Sequence, residues 1–125
     1  MEKKPFVTKA QLEEITKTYP TPFHLYDEKG IRENAKRLKE AFSWNKGFRE
    51  YFAVKATPNP FVIDILKKLG CGVDCSSLTE LMMAKAMKYD GEKIMFSSND
   101  TPAKDFEYAR RLNATINLDD ITHIE

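Results

Sequence analysis

The chain has 125 residues, 42% of them apolar and 31% charged, with 20 Lys+Arg against 19 Asp+Glu. This near-neutral balance gives no electrostatic reason for a nucleic-acid or membrane partner, and 8 Phe and 5 Tyr with only 5 Gly and 6 Pro suit a globular domain rather than a disordered or fibrous chain. Glu2, Lys3, Lys4, Lys9, Glu13 and Glu14 exclude an apolar signal core, and no apolar run approaches the roughly 20 residues that span a bilayer, so a soluble cytoplasmic protein is expected. Cys71 and Cys75 are too few for a disulfide framework, and no second Cys or His pair completes a zinc set; both read as small buried residues, and no metal is expected.

Two regions follow from the change of pattern near Trp44: residues 1–44, with helices and one extended segment, and residues 45–125, where apolar runs and helical patterns alternate. Thr8 and Gln11 have the spacing of a capping box ahead of Leu12 and Ile15, and that helix ends near Tyr19. Pro20 and Pro22 force the preceding residues out of the helical region, leaving Phe23-His24-Leu25-Tyr26 as a strand-like run. Asp27 then caps a helix whose Ile31, Ala35, Leu38 and Phe42 share one face.

From Phe48 the order strand, turn, helix repeats. Tyr51-Phe52-Ala53-Val54 is apolar on both faces, as in a strand buried within a parallel sheet, and Lys55 closes it. Asn59 caps and Pro60 opens a helix with a stripe of Phe61, Val62, Ile65, Leu66 and Leu69, ended by Gly70. Cys71 to Asp74 is the second strand, Ser77 begins a helix through Leu81 and Ala84, and Met82, Met83 and Met87 read as core filler. Lys93 to Ser97 is the third strand, Thr101-Pro102 opens a helix with Phe106, Ala109 and Leu112, and Ala114 to Leu118 is the fourth strand. Strand ends at Lys55, Asp74, Ser97 and Leu118 fall 19, 23 and 21 residues apart, one βα unit each. A (β/α)8 barrel takes about 250 residues, so length alone favours a small open sheet over half a barrel.

Lys55 is the residue to explain, because charge is costly at the end of a run apolar on both faces. Alternation puts Tyr51, Ala53 and Lys55 on one face, pointing to the C-terminal mouth of the sheet where α/β active sites collect. A desolvated lysine there is a free amine able to condense with an aldehyde; the plainer reading is a lysine snorkelling to water. Asp74 ends the neighbouring strand, about 4.8 Å away, and could hold the Lys55 ammonium, or serve as a loop or cap residue. Ser77-x-x-Glu80 fits a capping box, with Glu80 accepting from the Ser77 N–H. His24 and His123 stand alone, and no Gly-rich phosphate loop occurs.

Tyr51-Phe52-Ala53-Val54-Lys55-Ala56, followed by Gly72-Val73-Asp74-Cys75-Ser76-Ser77-Leu78-Thr79-Glu80, resembles the start of a fold-type III pyridoxal-phosphate decarboxylase. Diaminopimelate, ornithine and arginine decarboxylases share the pattern, and the resemblance runs from about Thr21 to the last residue. It implies, against the length argument, parallel (β/α) units forming the first half of a TIM-type, alanine racemase-like barrel, truncated here. It further implies pyridoxal 5'-phosphate as cofactor, Lys55 as the catalytic lysine that binds it, Ala53 under its ring, and Asp74 and Glu80 as acidic positions beside the lysine. A small-molecule amino-acid substrate and a homodimer come with the same resemblance, and Pro22-Phe23-His24-Leu25-Tyr26-Asp27 resembles the lead-in strand that, in this family, belongs to a C-terminal β domain.

The family's phosphate-holding glycine loop, the glutamate on the pyridine nitrogen, the histidine on the ring and the partner-subunit cysteine all come later than four βα units. The 125 residues alone are therefore expected to be inactive. Thr57-Pro58-Asn59 departs from the family's small polar residues, and Leu78-Thr79 stands where many diaminopimelate decarboxylases have two glycines, a form closer to the ornithine type. The segment around 22–27 is more like the diaminopimelate type, which implies conversion of meso-diaminopimelate to L-lysine. The alternatives are an ornithine/arginine-type decarboxylase, a non-catalytic pyridoxal-phosphate-binding protein, or an inactive fragment; an alanine racemase would want a tyrosine and glycines soon after Ala56.

Overall fold

The computed structural model describes residues 4–124. Helix α1 (Lys9–Thr18) begins with both halves of its capping box, the Thr8 N–H donating to Gln11 Oε1 at 2.8 Å and the Gln11 N–H to Thr8 Oγ1 at 3.2 Å, yet it buries no side chain. Residues 23–26 form neither helix nor strand and pair with no strand among the described residues, because a strand-like run becomes a strand only beside a hydrogen-bonding neighbour. Helix α2 (Glu28–Ala41) is capped by Asp27, whose Oδ1 accepts from the Gly30 N–H at 3.0 Å, and it buries Ala35.

The repeating part runs β1 (Tyr51–Ala53), a 3₁₀ turn (Val54–Ala56), α3 (Pro60–Lys68), β2 (Gly72–Cys75), α4 (Leu78–Ala86), β3 (Ile94–Ser97), α5 (Ala103–Arg111) and β4 (Thr115–Asn117). The four strands are all parallel and lie in the order β1-β2-β3-β4. Right-handed crossovers between strands laid down in sequence put every connecting helix on the same face, whereas a doubly wound open sheet reverses its order partway. The architecture is that of half a (β/α)8 barrel, and the open sheet favoured by length alone is set aside.

Each crossover helix ends the same way. Gly70, Lys88 and Asn113 take positive φ of 86°, 59° and 54° just past α3, α4 and α5. After each, the next N–H bonds back to a carbonyl five residues earlier: Cys71 to Leu66 at 3.1 Å, Tyr89 to Ala84 at 2.9 Å and Ala114 to Ala109 at 3.1 Å. These are Schellman ends, which satisfy orphan carbonyls and turn the chain toward the next strand. Only α3 uses glycine for the purpose. At Lys88 the side chain of Lys67 reaches across from α3 and donates to the carbonyls of Met87 and Lys88 while lying 4.8 Å from the Tyr89 ring.

The core lies between the sheet and α3, α4 and α5. Val73 and Cys75 of β2 and Ile94 and Phe96 of β3 are fully buried with Val54, Ile63, Leu81, Ala84, Tyr89 and Ala109, and Phe96 meets the Phe106 ring edge-on at 5.8 Å. Phe52 joins this cluster to a smaller one of Ala35, Leu66 and Cys71 between α2 and α3. The stripe expected on α3 is rotated: Phe61 is 82% exposed, and Ile63 is buried instead beside Val62 and Leu66. Met83 and Met87 pack on the core, but Met82, on the outer side of α4, is 54% exposed and fills nothing. Alternate residues of the strands, Asp74, Met95 and Ser97, face away from the helices and are half-buried.

At the N-terminal end of the strands the Tyr51 ring crosses Gly72, and its hydroxyl donates to the Glu92 carbonyl at 2.5 Å. A Cβ at Gly72 would lie 2.7 Å from both the Tyr51 ring and the Lys93 carbonyl. A backbone carbonyl cannot step aside cheaply, so Gly72→Ala should cost about 1–3 kcal/mol, read as a lower urea midpoint. Gly47→Ala, whose Cβ meets only Asn45 Oδ1 at 3.4 Å, should leave the midpoint nearly unchanged.

Candidate active site

The site sits at the C-terminal ends of β1, β2 and β3. β1 stops at Ala53, two residues earlier than the sequence pattern suggests, so Lys55 occupies the 3₁₀ turn rather than the strand and is exposed. The turn is held by its own bonds: the Thr57 N–H donates to the Val54 carbonyl at 3.1 Å, Thr57 Oγ1 to the Ala56 carbonyl at 2.7 Å, and Asn59 Oδ1 accepts from the Phe61 N–H at 3.0 Å. Thr57-Pro58-Asn59 thus provides a well-formed cap for α3. Lys55 takes part in no ion pair among the described residues.

Asp74 is half-buried on β2, in register with Ala53 of β1 on one side and Met95 of β3 on the other. Its carboxylate is not paired with Lys55. Asp74 Oδ1 instead accepts from Ser97 Oγ at 2.6 Å, a short charge-assisted bond across the mouth of the sheet. Ser97 ends β3 on the face that carries Asp74, so the alternation that singles out Lys55 and Asp74 applies to it equally; its place at a strand end is visible in the sequence, but the partner of its hydroxyl lies 23 residues away and has no local signal. Ala53 is half-buried between these neighbours and presents only a methyl.

Glu80 lies in the first turn of α4. Ser77 Oγ accepts from the Glu80 N–H at 3.4 Å, as in a capping box, but the return bond differs from expectation: Glu80 Oε2 accepts from the N–H of Ser76, at 2.7 Å, not from that of Ser77. Its carboxylate reaches one residue further back and fastens the turn between Asp74 and α4. Both acidic side chains near the mouth therefore already hold hydrogen bonds, and neither pairs with the lysine.

Burial pushes the Cys75 thiol up to about 12, with Glu80 and Asp74 adding to the effect, and burial also raises Cys71. Both stay protonated and apolar near neutral pH, as core residues do. His123 packs on the Phe106 ring with Nδ1 3.1 Å from Asp119 Oδ1, and His24 lies beside Tyr26; neither belongs to the group around Lys55. Among the described residues no cluster of three His, Cys, Asp or Glu could hold a metal, and no helix is long and apolar enough to cross a membrane.

Lys55 stands exposed and outside any ion pair among the described residues, on the turn after β1, rather than desolvated at a strand end, and a lysine side chain is the group that condenses with an aldehyde. That fits the aldehyde end of pyridoxal phosphate. A sequence model of the family described as "Pyridoxal-dependent decarboxylase, pyridoxal binding domain" matches residues 28–125, and the chain belongs to that family. The family's cofactor is pyridoxal phosphate. The chain is 43% identical over 114 residues to Protein TabA of Pseudomonas amygdali pv. tabaci, covering 91% of this chain and 27% of that protein. It is 39% identical over 101 residues to a diaminopimelate decarboxylase of Helicobacter pylori, covering 81% of this chain and 25% of the relative. In three dimensions it resembles the diaminopimelate decarboxylase of M. jannaschii, with a TM-score of 0.82 at 31% identity over 89% of this chain and 27% of that one. The chain spans about a quarter of the length of these relatives.

The raised Cys75 thiol has a signed consequence. Its ordinary value is 9.0 and its folded value about 12, so the unfolded chain loses this proton first. The contribution of this thiol to stability is therefore fully present below about pH 9 and is lost as pH rises toward 12. Urea midpoints at pH 7 and pH 10.5 should show the loss, and Cys75→Ala should remove part of it, the buried Tyr89 hydroxyl, also shifted up, supplying another part.

Proposed function

We propose that Lys55 is the catalytic lysine and holds pyridoxal phosphate covalently, with Ala53 under the ring and Asp74 and Glu80 as the acidic neighbours. The observation that carries this is the exposed, unpaired Lys55 amine at the mouth of a parallel sheet, directly after the Tyr51-to-Val54 run of the family motif. When bound, pyridoxal phosphate supplies an electron sink that lets an amino acid shed its α-carboxylate. The chain's own contribution is to present the amine, to hold the Asp74 carboxylate on the neighbouring strand through Ser97, and to leave at Ala53 a side chain small enough to admit a flat ring. The phosphate needs donors from outside this set, since no glycine-rich loop is present.

The reaction we infer for the protein of which these residues form the lysine-bearing part is decarboxylation of meso-diaminopimelate to L-lysine, by a cytoplasmic homodimer. The diaminopimelate decarboxylases among the relatives support this substrate. The second reading, an ornithine or arginine decarboxylase, is favoured by Leu78-Thr79 in place of two glycines. The 125 residues alone are expected not to turn over, because the rest of the barrel is needed to close the site.

Borohydride reduction in the presence of pyridoxal phosphate, followed by peptide mapping, should place the pyridoxyl group on Lys55, and labelling of another lysine would sink the assignment. In the full reading frame, carbon dioxide release should be highest from meso-diaminopimelate and should fall to background in Lys55→Ala. A preference for ornithine or arginine would replace the substrate while leaving the lysine in place.

A further inference from the structure

Resting on the reading of Lys55 as the cofactor lysine, we infer that Ser97 is a positioning residue: its hydroxyl holds the Asp74 carboxylate on the β3 side of the sheet mouth and so leaves the Lys55 amine unpaired and reactive. Asp74 stands in the middle of three strands, opposite Ala53 on one side and Met95 on the other. Lys55 follows Ala53 on the turn after β1, which packs against β2, and Ser97 closes β3, so the two reach the sheet mouth on opposite sides of β2. The carboxylate thus has a cation on the β1 side and a hydroxyl on the β3 side. It is bonded to the hydroxyl, with Ser97 Oγ 2.6 Å from Asp74 Oδ1, and it makes no ion pair with Lys55.

The choice has a chemical consequence. A lysine paired with a carboxylate is stabilised as the ammonium, which has no lone pair with which to attack. To take an aldehyde, the Lys55 nitrogen must be the free amine: it forms a C=N bond to the carbonyl carbon, and the carbonyl oxygen leaves as water with the two amine protons. No oxidant or reductant enters. Glu80, the other acidic residue near the mouth, is committed to the Ser76 N–H, so Asp74 is the carboxylate whose orientation decides the state of the lysine. Ser97 sets that orientation from the opposite strand without touching the lysine.

The test reads Lys55 itself, without cofactor or turnover. The chain and its variants are acetylated with trace acetic anhydride at pH 8, and the Lys55 label is measured by peptide mapping against exposed Lys104 in the same molecule. Ser97→Ala frees the Asp74 carboxylate to swing to Lys55 and should lower the Lys55:Lys104 ratio about tenfold. Ser97→Thr, which keeps the hydroxyl, should restore it. In an Asp74→Asn background, removing the Ser97 hydroxyl should have no effect, which separates this role from a general loosening of the sheet. An unchanged ratio in Ser97→Ala, or a loss that persists without the Asp74 carboxylate, overturns the inference. Borohydride mapping onto a different lysine would overturn the cofactor assignment without altering these ratios, so the two readings fail separately.

Discussion

The pairing of β2 with β3, Val73 beside Ile94 and Cys75 beside Phe96, is the constraint on which the rest of the structure depends. Those four side chains are sealed under α3, α4 and α5, at the centre of the larger of the two buried clusters among the described residues. Because side chains alternate with period two, the same register puts Asp74, Met95 and Ser97 together on the opposite face. A slip of one residue would drive the Asp74 carboxylate into the core and lift Cys75 or Phe96 out of it. Core packing and site assembly are one event here, and the Ser97–Asp74 hydrogen bond is formed by the register that closes the core.

The two ends of the strands are specialised. At the N-terminal end the contacts are mechanical: Tyr51 lies across Gly72 and bonds the Glu92 carbonyl, and Arg49 pairs with Glu92 at 2.5 Å on the surface. Such an exposed pair adds little stability by itself. The ring and the missing Cβ at Gly72 matter more, since they bring β1, β2 and the lead-in to β3 into close contact. At the C-terminal end the contacts are polar and leave groups available, as in barrel folds generally, where the loops after the strands carry the chemistry. Lys55 comes from the turn after β1, Asp74 from β2 with its partner Ser97 from β3, and Glu80, fastened to Ser76, from the first turn of α4.

The crossover helices show how one geometry is reached with different residues. Gly70 takes the left-handed position at no steric cost, and Asn113 is a residue type that tolerates it. Lys88 carries a longer side chain there, and the two bonds from Lys67 to the carbonyls around it, with the Lys67 contact to Tyr89, hold α3 against the end of α4. Tyr89 is buried with its hydroxyl unpartnered among the described residues, a polar cost carried inside the core in exchange for a large apolar ring.

Much was legible in the sequence because it depends on neighbours a few residues apart. The caps at Thr8, Asp27, Asn59 and Ser77, the stop at Gly70 and the repeat of βα units follow from local hydrogen bonding and periodicity, and all of them are present. The alternation along the strands likewise marked Lys55 and Asp74 as residues at a sheet mouth. What the sequence left open were choices between partners far apart in the chain. Half a barrel against an open sheet depended on strand order, since identical βα units can be laid down in sequence or reversed. Which face of α3 is buried depends on where α2 and the sheet lie, so the periodic stripe includes the exposed Phe61 and misses the buried Ile63. Whether Asp74 bonds Lys55 or Ser97 depended on two strands meeting it from opposite sides, and a carboxylate with two candidate donors is decided by the distances the fold imposes. Local rules determined the elements and the residue types at their ends, and only the assembled sheet determined which of those ends hold one another.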